Sequence, residues 1–353
     1  MGREQGLAAI ELRATDRVPR TEYSAHDLHW ELIRRVTGID TGVLANRARA
    51  SAAFVERWDY AFLWATDVSR GALSRGRTTR MGHAAYAELA DGSSDFDTRV
   101  ESPFRGLDDM LALDPCREYG ELDAGALAAD LERRYQERCR RFPSTLNMGG
   151  VYITIVSGLI EILGWENLLL ALAYPRDFQR LLDGYVEWVE QFFRAYARTS
   201  IPVLMCHDDI CWTRGPVVSP DWYRSAYFPL LRRLLAPWKE AGKKVIFTSD
   251  GNYTLFLDDL VRCGCDSLVM EPHTDMAAFA RDYGRTHGFV GNADTRVLLL
   301  GDRDDIRREV ERCLGIGRRC PGFVMAVGNH IPPNTPVDNA LWYDECYRAL
   351  CRR

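Results

Sequence analysis

Pro202-Val203-Leu204-Met205-Cys206-His207-Asp208-Asp209 is a run of apolar residues that stops on a histidine and two acids. A short, continuously apolar run reads as a strand buried on both faces, the habit of parallel sheets covered by helices. The polar residues then stand where that strand leaves the sheet. The same form returns at residues 244–250, at 267–271 and in 288–294, where the closing groups are Ser249-Asp250, Glu271, and Asn292 with Asp294. It returns again at 323–330, closing on Asn329-His330.

Working outward, the candidate strands are residues 18–24, 60–66, 151–156, 202–207, 244–248, 267–270, 288–290 and 323–327, eight in all. Amphipathic stretches at 177–199, 220–241, 253–263, 276–286 and 304–315 predict helices between them. Strand and helix alternating along the chain imply an α/β fold with a parallel sheet. An open doubly wound sheet is the rival to a barrel, but no Gly-x-Gly-x-x-Gly follows an early strand. Polar groups at the ends of nearly every strand favour a (β/α)8 TIM barrel, whose active sites are built there.

The chain is accordingly read as one barrel domain over residues 1–353, with an N-terminal extension and a long insertion before the third strand, residues 68–150. Within that connection a helix is expected from Ser102-Pro103, where serine can cap and proline suits the first turn. A second helix is expected over 124–141. Residues 81–99 carry turn signals and read as an insertion, either a lid over the mouth or a surface loop.

The 353 residues are 46% hydrophobic and 27% charged, an ordinary globular mixture. Fifty acidic against 45 basic residues leave a formal net charge of -5, which disfavours a nucleic-acid partner. The basic pairs Arg133-Arg134 and Arg140-Arg141 suit a solvated helix face. Ten cysteines contain no Cys-x-x-Cys pair, and no apolar leader opens the chain, so reduced thiols and a cytoplasmic location are expected. The most apolar stretch, residues 151–162, is interrupted by Thr154, Ser157 and Glu161, so no membrane association is expected.

Chemistry is expected at the strand ends. His207 and Asp209 share one strand face and Asp208 takes the other. Any of the three could orient a substrate, exchange a proton or hold a metal, and a loop-capping role is the plain alternative for the acids. Thr248 and Asp250 also share a face, with Gly251 permitting a tight turn and Asn252 placed to cap the next helix or touch substrate. Glu271 could serve as a base, a cation partner or one side of a salt bridge to Arg214. Asn292 and Asp294 are candidates for fixing substrate. Asn329-His330 opens a proline-rich loop that presents an imidazole titrating near neutrality.

Several segments together resemble the uroporphyrinogen decarboxylase superfamily, which also holds corrinoid-dependent methyltransferases. They are Gly164-Trp165-Glu166-Asn167 with Tyr174-Pro175, Ser219-Pro220 with Phe228-Pro229, residues 242–252, Glu271-Pro272, Gly291-Asn292-Ala293-Asp294 and the loop 328–336. Asp16-Arg17-Val18-Pro19 looks like the family's start. The resemblance implies a (β/α)8 barrel. The decarboxylase branch grips its porphyrinogen carboxylates with an arginine-rich N-terminal motif, and Val18-Pro19-Arg20-Thr21-Glu22-Tyr23 lacks it. The methyltransferase branch resembles this chain better, yet its zinc ligands, His-x-Cys and a later Cys, correspond here to Thr248, Asp250 and Asn329.

Three readings follow. The site works without metal through Asp250 and His330; oxygen and imidazole ligands drawn from His207, Asp209, Asp250 and His330 hold another divalent ion; or the barrel only binds a ligand. The leading expectation is methyl transfer from a small methylated donor to a corrinoid carried by a partner protein. Asp209, Asp250, Glu271 and His330 would be catalytic, with His207, Asp208, Arg214, Asn252, Asn292, Asp294 and Asn329 binding substrate. A decarboxylase or lyase for a small carboxylate is the rival, and it requires a basic pocket with Arg214 or Arg296 near Asp250. A homodimer is left open.

Overall fold

The computed structural model describes residues 2–79 and 102–353, with the backbone of an antiparallel pair, Tyr86–Glu88 and Ser94–Phe96, between them. Six parallel strands form one sheet in the order Gly149–Val151, Val203–His207, Lys244–Thr248, Ser267–Met270, Gly288–Ala293 and Phe323–Val327. Shorter pieces close the ring. Thr21 N–H donates to Met325 O (2.9 Å), Met325 N–H to Pro19 O (2.8 Å) and Ala61 N–H to Arg20 O (2.7 Å). Phe62–Leu63 pairs in parallel with Leu146–Asn147, and Val68 bridges Val151. Residues 17–21, 60–63 and 146–151 thus complete an eight-stranded (β/α)8 barrel.

The alternation of side chains explains why these segments become strands. Phe62, Trp64, Leu146, Met148, Val203, Met205, Ile246, Val269, Val290, Val324 and Ala326 fill the barrel interior. Their neighbours Leu204, Cys206, Val245, Phe247, Leu268, Met270, Phe289 and Met325 pack outward against the helices. Each fully buried Val or Leu contributes roughly 1.5–3 kcal/mol relative to exposure. At the lower end, the helix Gly2–Ile10 adds Ala9 and Ile10 to the interior cluster. A Cβ on Gly6 would stand 2.2 Å from Ala61 O, so glycine lets this helix seal the barrel floor. This helix is the expected N-terminal extension.

Most predicted helices form within a few residues of expectation, including Pro175–Ala197, Met276–Tyr283, Arg303–Gly317 and Ala124–Arg141. Asp123 caps the last of these through the Ala126 N–H (2.6 Å). The helical segment from Pro220 to Glu240 contains a π turn at Tyr223–Tyr227, which carries two tyrosine hydroxyls toward the end of the fourth strand.

Three expectations are corrected. The third strand is not 151–156: it ends at Val151, and Val156–Leu163 is a helix whose every residue is buried. An all-buried helix and a buried strand have the same apolar composition, which is why pattern alone misplaced it. The long connection consequently ends before Leu146 rather than at residue 150. The helix expected at Ser102-Pro103 starts instead at Leu107, after Gly106. The insertion read at 81–99 lies outside the described residues, apart from the two short strands. Among the described residues no helix is long and apolar enough to cross a membrane, and all ten cysteines are free.

Candidate active site

A cavity of about 380 Å3 opens at the C-terminal ends of the strands. Val269, Val290 and Ala326 form its floor, and Tyr23, Trp64 and Tyr152 form one aromatic side. His207, Thr248, Asp250, Asn329 and His330 complete the lining, the two imidazoles in ring contact with Tyr152 and Tyr23 respectively. The structure therefore brings four of the expected site residues to one cavity, with Thr248 beside them. The three positions matching the zinc ligands, Thr248, Asp250 and Asn329, all converge there. No Lys or Arg lines the cavity among the described residues.

His207 and Asp209 continue the inward face of the fourth strand. His207 Nε2 lies 3.3 Å from each Asp209 carboxylate oxygen, and its ring packs 4.4 Å from that of Tyr152. Burial pulls the His207 pKa down, but Asp209, aided by Asp250 and Asp208, more than compensates and holds it above the usual histidine value. Asp209 Oδ1 also accepts the Asp250 N–H at 2.9 Å, joining the fourth and fifth strand ends.

Glu271 ties three loops together. Its Oε2 accepts the Gly251 N–H (2.7 Å) and its Oε1 accepts Asn329 Nδ2 (2.7 Å). Asn329 Nδ2 is also 3.3 Å from Asp250 Oδ1. Gly251 has φ +79°, and a Cβ there would meet the Trp212 carbonyl at 2.5 Å, so this tight turn requires glycine. Glu271 itself faces an adjoining groove with Thr213, His273, Asp294 and Arg296, which shares Asn329 and His330 with the cavity.

His330 is held differently from His207. Its Nδ1 hydrogen-bonds Ser24 Oγ, and its ring meets Tyr23 edge-on at 4.8 Å. Burial, reinforced by the like charge of His207 and opposed by Asp27, lowers its pKa. Two imidazoles on one cavity are thus displaced in opposite directions, His207 toward the cation and His330 toward the neutral ring.

Other expected site residues are placed away from the cavity. Asp208 is 0% exposed and points outward, where its carboxylate accepts Ile155 N–H (3.1 Å), Ser157 N–H (2.7 Å) and the Tyr227 hydroxyl (2.8 Å). It caps a helix rather than touching substrate, because strand alternation sends it to the opposite side from His207. Asn252 Oδ1 accepts the Thr254 N–H in a local turn. Asn292 is buried, donating to the Glu271 and Thr274 carbonyls and accepting from Arg312. Asp294 caps the Thr295–Leu300 helix and pairs with Arg296 at 2.6 Å. Arg214 is exposed at the turn of the Cys211–Trp212 and Gly215–Pro216 hairpin and forms no ion pair with Glu271 among the described residues. His207, Asp209, Asp250 and His330 do not assemble as a metal-ligand set: among the described residues no three His, Cys, Asp or Glu side chains do.

The residues that sequence reasoning missed are Tyr23, Trp64 and Tyr152. Each follows a barrel strand, as the acids do. The strand-end rule would have found them had it been applied to aromatic as well as ionisable side chains.

The model of the uroporphyrinogen decarboxylase family, described as "Uroporphyrinogen decarboxylase (URO-D)", matches residues 95–349. The chain belongs to this family. Members similar to it include the uroporphyrinogen decarboxylase of Syntrophotalea carbinolica, 27% identical over 71% of this chain and 72% of that protein. The uroporphyrinogen decarboxylase of Thermus thermophilus is 30% identical over 58% of this chain, and the match spans only 59% of the relative's length. Among solved structures, a methyltransferase from Methanosarcina mazei superposes with a TM-score of 0.63 at 17% identity, covering 99% of this chain and 98% of the other. That likeness establishes the barrel across the chain. Family members are enzymes, and the branch is a matter for the site. Arg20, the arginine in the segment matching the decarboxylase motif, is fully buried between Trp58 and Tyr347 and pairs with Asp344 at 2.6 Å, away from the cavity.

Proposed function

We propose that this family member is a methyl-transfer enzyme that holds a small methylated donor in the barrel-mouth cavity. The observation that carries this reading is the cavity itself: about 380 Å3, aromatic on one side, with no Lys or Arg among its described lining residues. A tetrapyrrole bearing several carboxylates calls for a larger site and for cationic side chains, as a charged group cannot be buried without partners. A small carboxylate substrate likewise finds no Lys or Arg among the described lining residues: Arg214 is exposed, Arg296 is engaged by Asp294, and the His207 imidazole is paired with Asp209.

Within the cavity, His207 is the proton donor. Asp209 draws it toward the imidazolium and orients it, so it can protonate the leaving group once the methyl group has departed. His330, drawn toward the neutral ring by burial and held by Ser24, is the acceptor of a hydrogen bond from the donor. Asp250 and Asn329 position the donor, and Glu271 braces the loops that carry them. A reduced corrinoid on a partner protein would supply the nucleophilic metal centre that receives a methyl group. The cavity is too small for a corrin ring, so the residues present suit an acceptor approaching from the mouth rather than one held inside.

The test is to incubate the protein with a panel of small methylated donors and free cob(I)alamin, following methylation of the cobalt by absorbance. Transfer is expected; His207→Gln should lose roughly 100-fold where the leaving atom carries a lone pair to protonate, the scale of general acid catalysis, and far less with a quaternary ammonium donor. Carbon dioxide release from a small carboxylate, without methyl transfer, would replace this reading with the decarboxylase one suggested by the relatives' names.

A further inference from the structure

We infer that the donor is a small quaternary ammonium ion, its methylated nitrogen seated among Tyr23, Trp64 and Tyr152 and facing the carboxylate of Asp250. This rests on the proposed function, whose substrate class it names.

The argument begins with the rings. Tyr23 and Trp64 have centroids 5.9 Å apart at an interplanar angle of 40°, and form two faces of a corner. Tyr152, whose ring centroid lies 4.4 Å from that of His207, supplies a third aromatic wall to the same cavity. Aromatic faces carry negative charge density and attract a cation within about 6 Å of the ring centroid, most strongly where water is excluded. A quaternary nitrogen has no N–H to hydrogen-bond, so rings rather than acceptors are the chemistry that recognises it.

Charge points the same way. Asp250 lines the cavity while engaging Asn329, and Asp209 lies behind it, bound to the Asp250 N–H. The phenols of Tyr23 and Tyr152 are pushed upward first by burial and then by both Asp209 and Asp250, so both walls sit in the field of these two acids. Among the described lining residues there is no Lys or Arg to favour an anion, and His207, whose pKa is raised, is paired with Asp209. A neutral methyl ether would fill the same space, but would gain nothing from the carboxylate.

The probe is tetramethylammonium, titrated against the whole chain by calorimetry and by tryptophan fluorescence, in parallel with tert-butanol, a neutral molecule of similar branching. Tetramethylammonium is expected to bind at least 10-fold more tightly. Trp64→Leu and Asp250→Asn should each weaken it about 10-fold, while tert-butanol binding changes little in Asp250→Asn. Tyr23→Phe keeps the ring and should retain most of the affinity, which separates loss of the cage from misfolding. Equal affinity for the two probes, or indifference to both Trp64→Leu and Asp250→Asn, would overturn the inference. Tight binding without any methyl transfer to cob(I)alamin would keep the quaternary-ammonium site but remove its role as a methyl-donor site, and with it the proposed function.

Discussion

The side-chain amide of Asn329 donates to Glu271 Oε1 over 2.7 Å, fastening the loop after the eighth strand to the end of the sixth. The same nitrogen reaches Asp250 Oδ1, so one neutral donor separates two carboxylates. Asn329→Asp would put a third carboxylate between them. The expected result is a loss of about 1–3 kcal/mol at pH 8, partly recovered near pH 5 as the acids share protons. Thermal unfolding of the variant and the parent across that range measures it; equal pH dependence would contradict the shared contact.

The His207–Asp209 pair predicts a pH-dependent contribution to stability. Because folding raises the His207 pKa, the folded state binds the extra proton more tightly. Its contribution is complete below the unfolded histidine pKa of about 6.5 and is lost as pH rises through the higher folded value. Asp209→Asn should drop the His207 titration, followed by NMR, to below that of the parent protein, because burial then acts with less opposition. An unchanged titration would show that Asp209 does not set the proton.

Asp208→Ala should be a stability variant and not a site variant. It orphans the Ile155 and Ser157 N–H groups and the Tyr227 hydroxyl, which costs roughly 2–4 kcal/mol after partial relaxation. Denaturant unfolding should report that loss, while ligand affinity per folded molecule stays near that of the parent. Loss of affinity at full stability would return Asp208 to the site.

Glu22 is fully buried just beyond the first strand, accepting the Val327 N–H, and burial raises its pKa from 4.5 to about 7 despite the opposing charge of Arg20. A raised carboxyl pKa means that its contribution is complete below about pH 4.5 and is lost as pH climbs through 7. Glu22→Gln should therefore flatten the stability profile between pH 4.5 and 7, read from unfolding midpoints. A profile parallel to the parent's would place the proton elsewhere.

Gly251→Ala should be costly on two counts, a positive φ of 79° and a Trp212 carbonyl 2.5 Å from the new Cβ. A destabilisation of about 1–3 kcal/mol is expected, together with weaker ligand binding, because the Gly251 N–H holds Glu271. Differential scanning calorimetry alongside a binding titration separates the two effects.

The sequence by itself determined the barrel, its five later strands and the strand-end placement of His207, Asp250, Asn329 and His330. It could do so because period-two burial and helix periodicity are local properties of the chain. The side on which Asp208 falls was also legible, since alternation puts it opposite His207; that it caps Val156–Leu163 was not, because the helix partner lies far away in sequence. Tertiary structure alone decided that Tyr23, Trp64 and Tyr152 share a cavity, that Asn292 is consumed by backbone carbonyls, and that Arg214 points into solvent. It also displaced the pKa values of the two imidazoles in opposite directions. Those are consequences of which residues ring closure brings together and how far each is withdrawn from water, and no stretch of sequence carries that information alone.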